Sequence, residues 1–242
     1  MDKLSAKLPS FFKLSAVSGL QIFQLIRYGG FTLVGILFAK LHIPQSGIAQ
    51  YEFIIMTAGL MSFFFLGGVV NTMLSLYPEQ DNTKASSLFF NSFLILSIYP
   101  LVVLAGVFLL LEVNPSLLGN AVILVAFYNI INVPAYLVEY ILYLKKKNTA
   151  LIVYGVVTSL LTIGLLTTAA LNDFFGTFHD KLLWTTEFFE FSVIVSLGLV
   201  ALFKWICLAV LLFKYARFKP DWALLKRHLL LALPILLAIF VS

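Results

Sequence analysis

The sequence predicts an all-α, polytopic membrane helix bundle: six full transmembrane helices plus a partial seventh, with the N-terminus in the cytoplasm. Hydrophobic residues make up 61% of the chain and charged residues only 11%. An ordinary soluble domain is about half apolar and about a quarter charged. The apolar runs also repeatedly exceed the ~20 residues that a helix needs to cross a ~30 Å hydrocarbon core. The bilayer is therefore the expected solvent.

Seven hydrophobic segments follow one another, separated by short stretches of charged and turn-forming residues. They fall at residues 14–39, 50–76, 86–111, 117–144, 150–171, 189–213 and 229–242. Six are long enough to cross the bilayer, whereas the last holds only about 14 residues. We expect residues 1–228 to form a first six-helix lobe and residues 229–242 to begin a second one, so that the chain is the N-terminal part of a longer protein. A short re-entrant helix at 229–242 is the alternative.

The positions of the cations predict the orientation. With the N-terminus inside, the lysines and arginines that fall in the cytoplasm are Lys3, Lys7, Lys13, Lys84, Lys145, Lys146, Lys147, Lys214, Arg217, Lys219, Lys226 and Arg227. Only Lys40 and Lys181 fall outside. This asymmetry is typical of a multi-pass protein of the inner, cytoplasmic membrane. A nucleic-acid binder would place its cations among polar segments, so no nucleic-acid partner is expected.

Motifs of enzymes and cofactor sites are absent from the sequence. The single cysteine, Cys207, rules out an intrachain disulfide, and the three histidines lie on separate connections. No GxSxG, HExxH, P-loop or GxGxxG sequence occurs. We therefore expect neither an enzyme nor a cofactor. A membrane-embedded transferase would instead depend on the acidic residues of segment 172–190.

Arg27 is the first candidate binding residue. It lies about 20 Å of helix from both ends of the first segment, so its side chain reaches neither interface and must face protein or a water-filled cavity. Gln24 and Tyr28 share its polar helix sector. A guanidinium at this depth suits an anionic substrate, particularly a phosphate or pyrophosphate. The alternative is an ion pair with Glu52 or Glu139 that ties helices together.

The fourth segment carries a polar stripe that indicates a cavity lining. Its members fall within about 100° of helical arc and are Asn129, Asn132, Tyr136, Glu139, Tyr140 and Tyr143. Tyrosine rings and amides suit the faces and hydroxyls of sugars. Interhelical hydrogen bonding is the alternative. Pro134 removes a backbone donor and predicts a local kink.

Lys204 is the second cation within a predicted span, about 15 Å from its cytoplasmic end by helical rise. We interpret it as a further contact for an anion, with a structural role as the alternative. The substrate-binding set predicted from the sequence is therefore Arg27, Gln24, Tyr28, Asn129, Asn132, Tyr136, Glu139 and Lys204.

The N-terminal pattern resembles the lipid-linked oligosaccharide flippases of the multidrug/oligosaccharidyl-lipid/polysaccharide exporter superfamily. The resemblance is carried by LFAKLHIP (37–44), PQSGIAQYEF (44–53), FFLGGVVNTM (64–73), the KKKN loop (145–148) and LLLALPILL (229–237). It implies two lobes around a central cavity and alternating access between them. It also implies translocation of a polyprenyl-pyrophosphate-linked oligosaccharide for surface polysaccharide biosynthesis, and it gives Arg27 the cationic position of the first helix.

Two rival functions remain open at this point. A cation-coupled multidrug exporter of the same superfamily would need intramembrane carboxylates, for which only Glu52 and Glu139 are available. A non-transporting scaffold subunit would use Arg27 only as a tie between helices. Because one lobe cannot enclose a cavity, the expected partner is either a missing C-terminal lobe or a second copy of the chain.

Overall fold

The computed structural model describes residues 16–41, 43, 45–113, 120–179 and 186–241. Within these ranges the chain is helical and has no strand, which confirms the all-α prediction. The helices are α1 (Ala16–Lys40), α2 (Gln45–Leu76), α3 (Asn82–Val113), α4 (Asn120–Ala135), α5 (Leu137–Leu144), α6 (Asn148–His179), α7 (Thr186–Tyr215) and α8 (Trp222–Val241), with a short 3-10 helix at Tyr77–Glu79. Four of the cations used to predict the orientation, Lys3, Lys7, Lys13 and Lys181, lie outside the described residues.

Five stretches of the described chain are long and apolar enough to cross a membrane. They lie in α1, α3, α6 and α7, and in α4 and α5 taken together as Val122–Leu144. A sixth is present if the two arms of α2, Gly47–Phe63 and Leu66–Leu76, count as one span. The helices therefore suit a multi-pass membrane protein of five to six spans.

Helix α2 bends by 46° between its two arms. The Ser62 hydroxyl, just before the bend, donates a 2.8 Å hydrogen bond to the carbonyl of Ala58 in the preceding turn. Gly67 and Gly68 follow the bend. A serine bonded back to its own helix and nearby glycines both favour curvature, which accounts for the change of direction.

The kink predicted at Pro134 is present. Helix α4 ends at Ala135 and α5 begins at Leu137, one residue later. The backbone crosses this break through two i to i+3 hydrogen bonds, from Tyr136 to the Val133 carbonyl (3.3 Å) and from Glu139 to the Tyr136 carbonyl (3.2 Å). Proline cannot donate to the preceding turn, so the tighter pattern replaces the α-helical one.

Helix α8 starts earlier than the predicted seventh segment. It begins at Trp222 and continues unbroken through 228/229, the proposed boundary between lobes. The carboxylate of Asp221 accepts a 3.0 Å hydrogen bond from the Leu224 amide and so caps the helix. His228 is buried, and its Nε2 donates to the Val69 carbonyl of α2 at 2.9 Å. This helix therefore packs on the bundle through α2, and it is not among the five to six candidate spans of the described chain.

Two apolar clusters fill the bundle, one at each end. The basic-end cluster contains the buried residues Phe23, Val69, Met73, Leu76, Leu88, Phe89, Ile95, Leu96, Val133, Leu137, Val138, Ile141, Leu142, Leu151, Tyr154, Leu208, Leu212 and Leu224. The far-end cluster contains Val34, Phe38, Ile43, Tyr51, Ile54, Ala58, Val125, Leu166, Val193 and Leu197. Along α1, α6 and α7 the polar side chains Arg27, Thr158 and Lys204 lie between members of the two clusters. The clusters thus enclose a polar layer at mid-depth.

The basic-end cluster is named for the cations around it. Nζ of Lys145, just after α5, lies 5.6 Å, 5.3 Å and 5.5 Å from the ring centroids of Tyr77, Phe89 and Tyr215. These contacts bring the C-terminal ends of α5 and α7 together with the start of α3. The same end of the described chain carries Lys84, Lys145, Lys146, Lys147, Lys214, Arg217, Lys219, Lys226 and Arg227.

Candidate functional site

A cavity of about 150 Å³ opens in the polar layer, between the two apolar clusters. Side chains from α1, α5, α6 and α7 line it, together with Tyr136 at the break between α4 and α5. The lining residues are Phe23, Arg27, Tyr28, Gly30, Phe31, Tyr136, Glu139, Thr158, Ser159, Thr162 and Lys204. We call this the mid-depth cavity.

Arg27 reaches across the cavity to Glu139. Its Nη1 lies 3.3 Å from Glu139 Oε2, and the two side chains are 30% and 3% exposed. The guanidinium carbon also lies 5.9 Å from the Phe23 ring centroid and 5.5 Å from that of Tyr28. Pairing and ring contacts both stabilise a cation that the bilayer would otherwise exclude. The ion pair that the sequence offered as one alternative for Arg27 is therefore formed with Glu139, and Glu52 is exposed.

Lys204 enters the cavity from α7 without a carboxylate partner. Its Nζ lies 5.1 Å from the ring centroid of Tyr136. Within the described ranges, its Nζ comes within 4.0 Å of no carboxylate oxygen. The cavity thus holds two cations and one carboxylate, a net charge of one positive unit. In a site of low dielectric constant, this excess favours an anion.

Close packing of α1 against α6 brings Arg27 to the cavity wall. Gly155 of α6 lies against the Phe23 ring, where an added Cβ would be 2.6 Å from Cδ2. One turn further along each helix, Gly30 lies against Ser159, where an added Cβ would be 3.1 Å from Oγ. Small residues at such contacts let two membrane helices approach closely.

The break at Pro134 gives Glu139 its position. Downstream of the break, Tyr136 and Glu139 line the cavity. Upstream of it, Asn129 and Asn132 are buried but do not line the cavity. The predicted polar stripe of the fourth segment is therefore divided, because the change in backbone geometry rotates one part relative to the other.

Five of the eight predicted substrate-binding residues meet at the cavity: Arg27, Tyr28, Tyr136, Glu139 and Lys204. The other three lie elsewhere. Asn129 directs its Nδ2 towards the Ala58 carbonyl of α2, at a long 3.5 Å. The Oε1 atom of Gln24 and the Oδ1 atom of Asn132 are buried without a hydrogen-bond partner in the described part of the chain.

Three hydroxyl residues of α6, Thr158, Ser159 and Thr162, complete the lining and were not predicted. The hydroxyls of Thr158 and Thr162 donate to carbonyls one turn back on their own helix, each at 2.8 Å. Their oxygen lone pairs then remain available as acceptors. The only signal in the sequence is the i, i+4 spacing of the two threonines, which is common in membrane helices.

The size and charge of the cavity limit its occupant. Pockets for drug-sized ligands measure about 300 to 1,000 Å³, so a space of about 150 Å³ suits a small group. A guanidinium and an ammonium facing one space bind phosphate oxygens well. Nowhere in the described ranges do three His, Cys, Asp or Glu residues group as metal ligands would.

Comparison with protein-family models, with curated proteins and with solved structures gave no match.

Proposed function

We propose that this chain is part of a membrane transporter that moves a polyprenyl-pyrophosphate-linked oligosaccharide across the cytoplasmic membrane for surface polysaccharide biosynthesis. One observation carries the proposal: two cations and a single carboxylate share a cavity at mid-depth between apolar clusters. Ionisable residues within a membrane are costly and mark substrate paths. The N-terminus is assigned to the cytoplasm from the cation asymmetry.

In this proposal the cavity binds the pyrophosphate. The planar guanidinium of Arg27 binds two phosphate oxygens, and Lys204 binds a third as a point charge. Glu139 neutralises Arg27 while the cavity is empty and is displaced when the anion enters.

The saccharide and the lipid chain lie outside the cavity, because about 150 Å³ holds only the charged group. Tyr28 lines the cavity while its side chain is 62% exposed, so it offers a ring to a sugar at the opening. A second lobe, or a second copy of the chain, would cover that side.

A scaffold subunit is the second candidate, and the Arg27–Glu139 ion pair favours it. The pair joins α1 to α5, and a pair of this kind holds two helices in register whether or not a ligand binds. A cation-coupled multidrug exporter is less favoured, because the excess positive charge of the cavity repels cationic drugs.

Binding of farnesyl pyrophosphate, a short polyprenyl pyrophosphate, to the purified chain in detergent tests the first candidate. We expect Arg27→Ala and Lys204→Ala each to weaken binding at least tenfold, about 1.4 kcal/mol. Lys40→Ala, which removes an exposed cation at the opposite end of α1, is the matched control and should bind as the wild type does. Wild-type affinity in both cavity variants would refute the proposal.

The charge swap Arg27→Glu with Glu139→Arg separates transporter from scaffold. It preserves an ion pair between α1 and α5 but moves the guanidinium to the other wall. A scaffold regains full stability and full assembly with its partners. A transporter regains stability but continues to bind farnesyl pyrophosphate poorly, because the fork and Lys204 no longer converge on one anion.

A further inference from the structure

A second pocket lies at the basic end, away from the mid-depth cavity. It measures about 300 Å³ and is lined by Ser87, Arg217, Lys219, Pro220, Asp221 and Trp222. We call it the interfacial pocket, because one candidate span begins at Thr83 and another ends at Tyr215. The pocket thus lies where hydrocarbon gives way to lipid headgroups.

Hydrogen bonds hold the walls of the interfacial pocket in place. The Nδ2 group of Asn91, which is fully buried in α3, donates to the Asp221 carbonyl at 2.9 Å. Its Oδ1 accepts from the Asp221 amide at 3.3 Å. The Arg217 amide donates to the Ser86 carbonyl at 3.1 Å. The connection between α7 and α8 is therefore fixed to α3, and the pocket is formed before any ligand arrives.

The cations of the interfacial pocket are free to bind. The side chains of Arg217 and Lys219 are exposed, and neither forms an ion pair with another described residue. The carboxylate of Asp221 is already engaged, since it accepts the Leu224 amide as the cap of α8. Two cations thus face a formed pocket without direct neutralisation.

Aromatic rings surround this pocket on the outside of the bundle. Phe213, Phe218 and Trp222 are 78%, 53% and 72% exposed. The Phe218 ring centroid lies 5.4 Å from that of Phe90 and 5.2 Å from that of Phe213. Aromatic side chains are favoured at the level of the headgroups, where an apolar ring and a polar edge are both satisfied.

We propose that the interfacial pocket binds the headgroup of an anionic glycerophospholipid. Arg217 and Lys219 contact the phosphate, the Ser87 hydroxyl contributes a further polar group, and Trp222 and Phe218 pack on the glycerol and upper acyl region. A basic pocket at this depth has an anionic headgroup within reach at all times. The site is separate from the proposed transported substrate and stands whether or not that proposal holds.

Native mass spectrometry of the full chain tests the site with dioleoylphosphatidylglycerol and dioleoylphosphatidylcholine as probes. We expect the wild type to bind the anionic lipid more tightly. The double variant Arg217→Ala with Lys219→Ala should lose at least about tenfold in affinity for the anionic lipid alone, since each cation contributes about tenfold or less near a membrane surface. Lys84→Ala with Lys147→Ala, two exposed cations at the same end but outside the pocket, is the matched control.

Three outcomes would overturn the proposal. Equal binding of the two lipids by the wild type would remove the headgroup preference. An equal loss in the control variant would assign the effect to overall charge. Displacement of the lipid by an excess of inorganic phosphate would make the pocket a site for free anions instead.

Fluorescence of the wild-type chain gives a measurement that does not depend on the double variant. Brominated phosphatidylglycerol in vesicles should quench Trp222 more than brominated phosphatidylcholine does. The Trp222 signal is obtained as the difference between the wild type and Trp222→Phe. Equal quenching by the two lipids would contradict the proposal.

Discussion

The mid-depth cavity and the interfacial pocket contain the same set of charges, two cations and one carboxylate, and use the carboxylate differently. In the cavity, Glu139 lies 3.3 Å from Arg27 and serves as its counter-ion. In the interfacial pocket, Asp221 caps α8, and no nitrogen of Arg217 or Lys219 comes within 4.0 Å of a carboxylate oxygen in the described ranges.

Depth accounts for this difference. Charges attract more strongly as the dielectric constant falls, and burying an unpaired charge is costly. At the interface, water and salt screen the same charges, so a direct ion pair adds little. A cation at mid-depth therefore needs a partner even when no ligand is bound, whereas the cations at the interface remain available.

The largest expected effect is on stability at the cavity. Glu139→Ala leaves Arg27 without its carboxylate and beside Lys204. We expect the free energy of unfolding, measured by detergent titration, to fall by about 3 kcal/mol, the low end for removing one partner of a buried pair, because Arg27 is partly exposed. Glu52→Ala, an exposed carboxylate of α2, is the control and should change stability by less than about 0.5 kcal/mol. Equal losses would mean that depth does not govern the need for a counter-ion.

The next effect concerns the contact that places Arg27 at the cavity. Gly155→Ala adds a Cβ 2.6 Å from the Phe23 ring and forces α1 and α6 apart. We expect a loss of about 2 kcal/mol in the free energy of unfolding, as is usual for overpacking. Gly164→Ala on the same helix meets no heavy atom within 4 Å and should leave stability unchanged or slightly higher. A harmless Gly155→Ala would contradict the close approach of α1 to α6.

Anion binding should change in the opposite direction to stability when the counter-ion is removed. Glu139→Gln preserves the shape of the side chain and removes its charge, so farnesyl pyrophosphate no longer competes for Arg27. We expect binding to tighten about tenfold, or ~1.4 kcal/mol. Asp221→Asn is the corresponding change at the interface and should leave this binding as it is. Weaker binding in Glu139→Gln would show that the carboxylate helps to hold the ligand.

The smallest effect separates the two roles of a carboxylate. Asp221→Ala removes the cap of α8 and should cost about 1 kcal/mol of stability, whereas Asp221→Asn retains a capping oxygen and should cost little. Thermal unfolding of the two variants in detergent measures the difference. Equal losses in both would mean that the charge of Asp221, and not its capping oxygen, stabilises this end of the bundle.

Much of the helical architecture could be predicted from the sequence. Each hydrophobic segment coincides with a helix in the described ranges, because a chain in hydrocarbon must satisfy its backbone hydrogen bonds internally. The kink at Pro134 follows from proline chemistry in the same way. The start of α8 was predicted too late, because Lys226 and Arg227 lie on the exposed side of its first turns, where charge does not interrupt a helix.

The candidate site could be predicted only in part. The depth of Arg27 required a protected partner, and the sequence offered Glu139 and Glu52 equally. It gave no reason to separate Asn129 and Asn132 from Tyr136 and Glu139, because a helical wheel assumes an unbroken helix. The hydroxyls of α6 have the composition of an ordinary membrane helix, so nothing marked them as a wall of the cavity.

By itself, therefore, the sequence determined that the chain is a helical membrane protein with charges at mid-depth, since composition and segment length respond directly to the bilayer. Only the tertiary structure decided which of those charges meet. Helix rotation and the close approach of α1 to α6 depend on side-chain packing between distant segments, including the fit of Gly155 against Phe23. The same packing brings Arg27, Glu139 and Lys204 to one cavity, and fixes Arg217 and Lys219 beside α3 through Asn91.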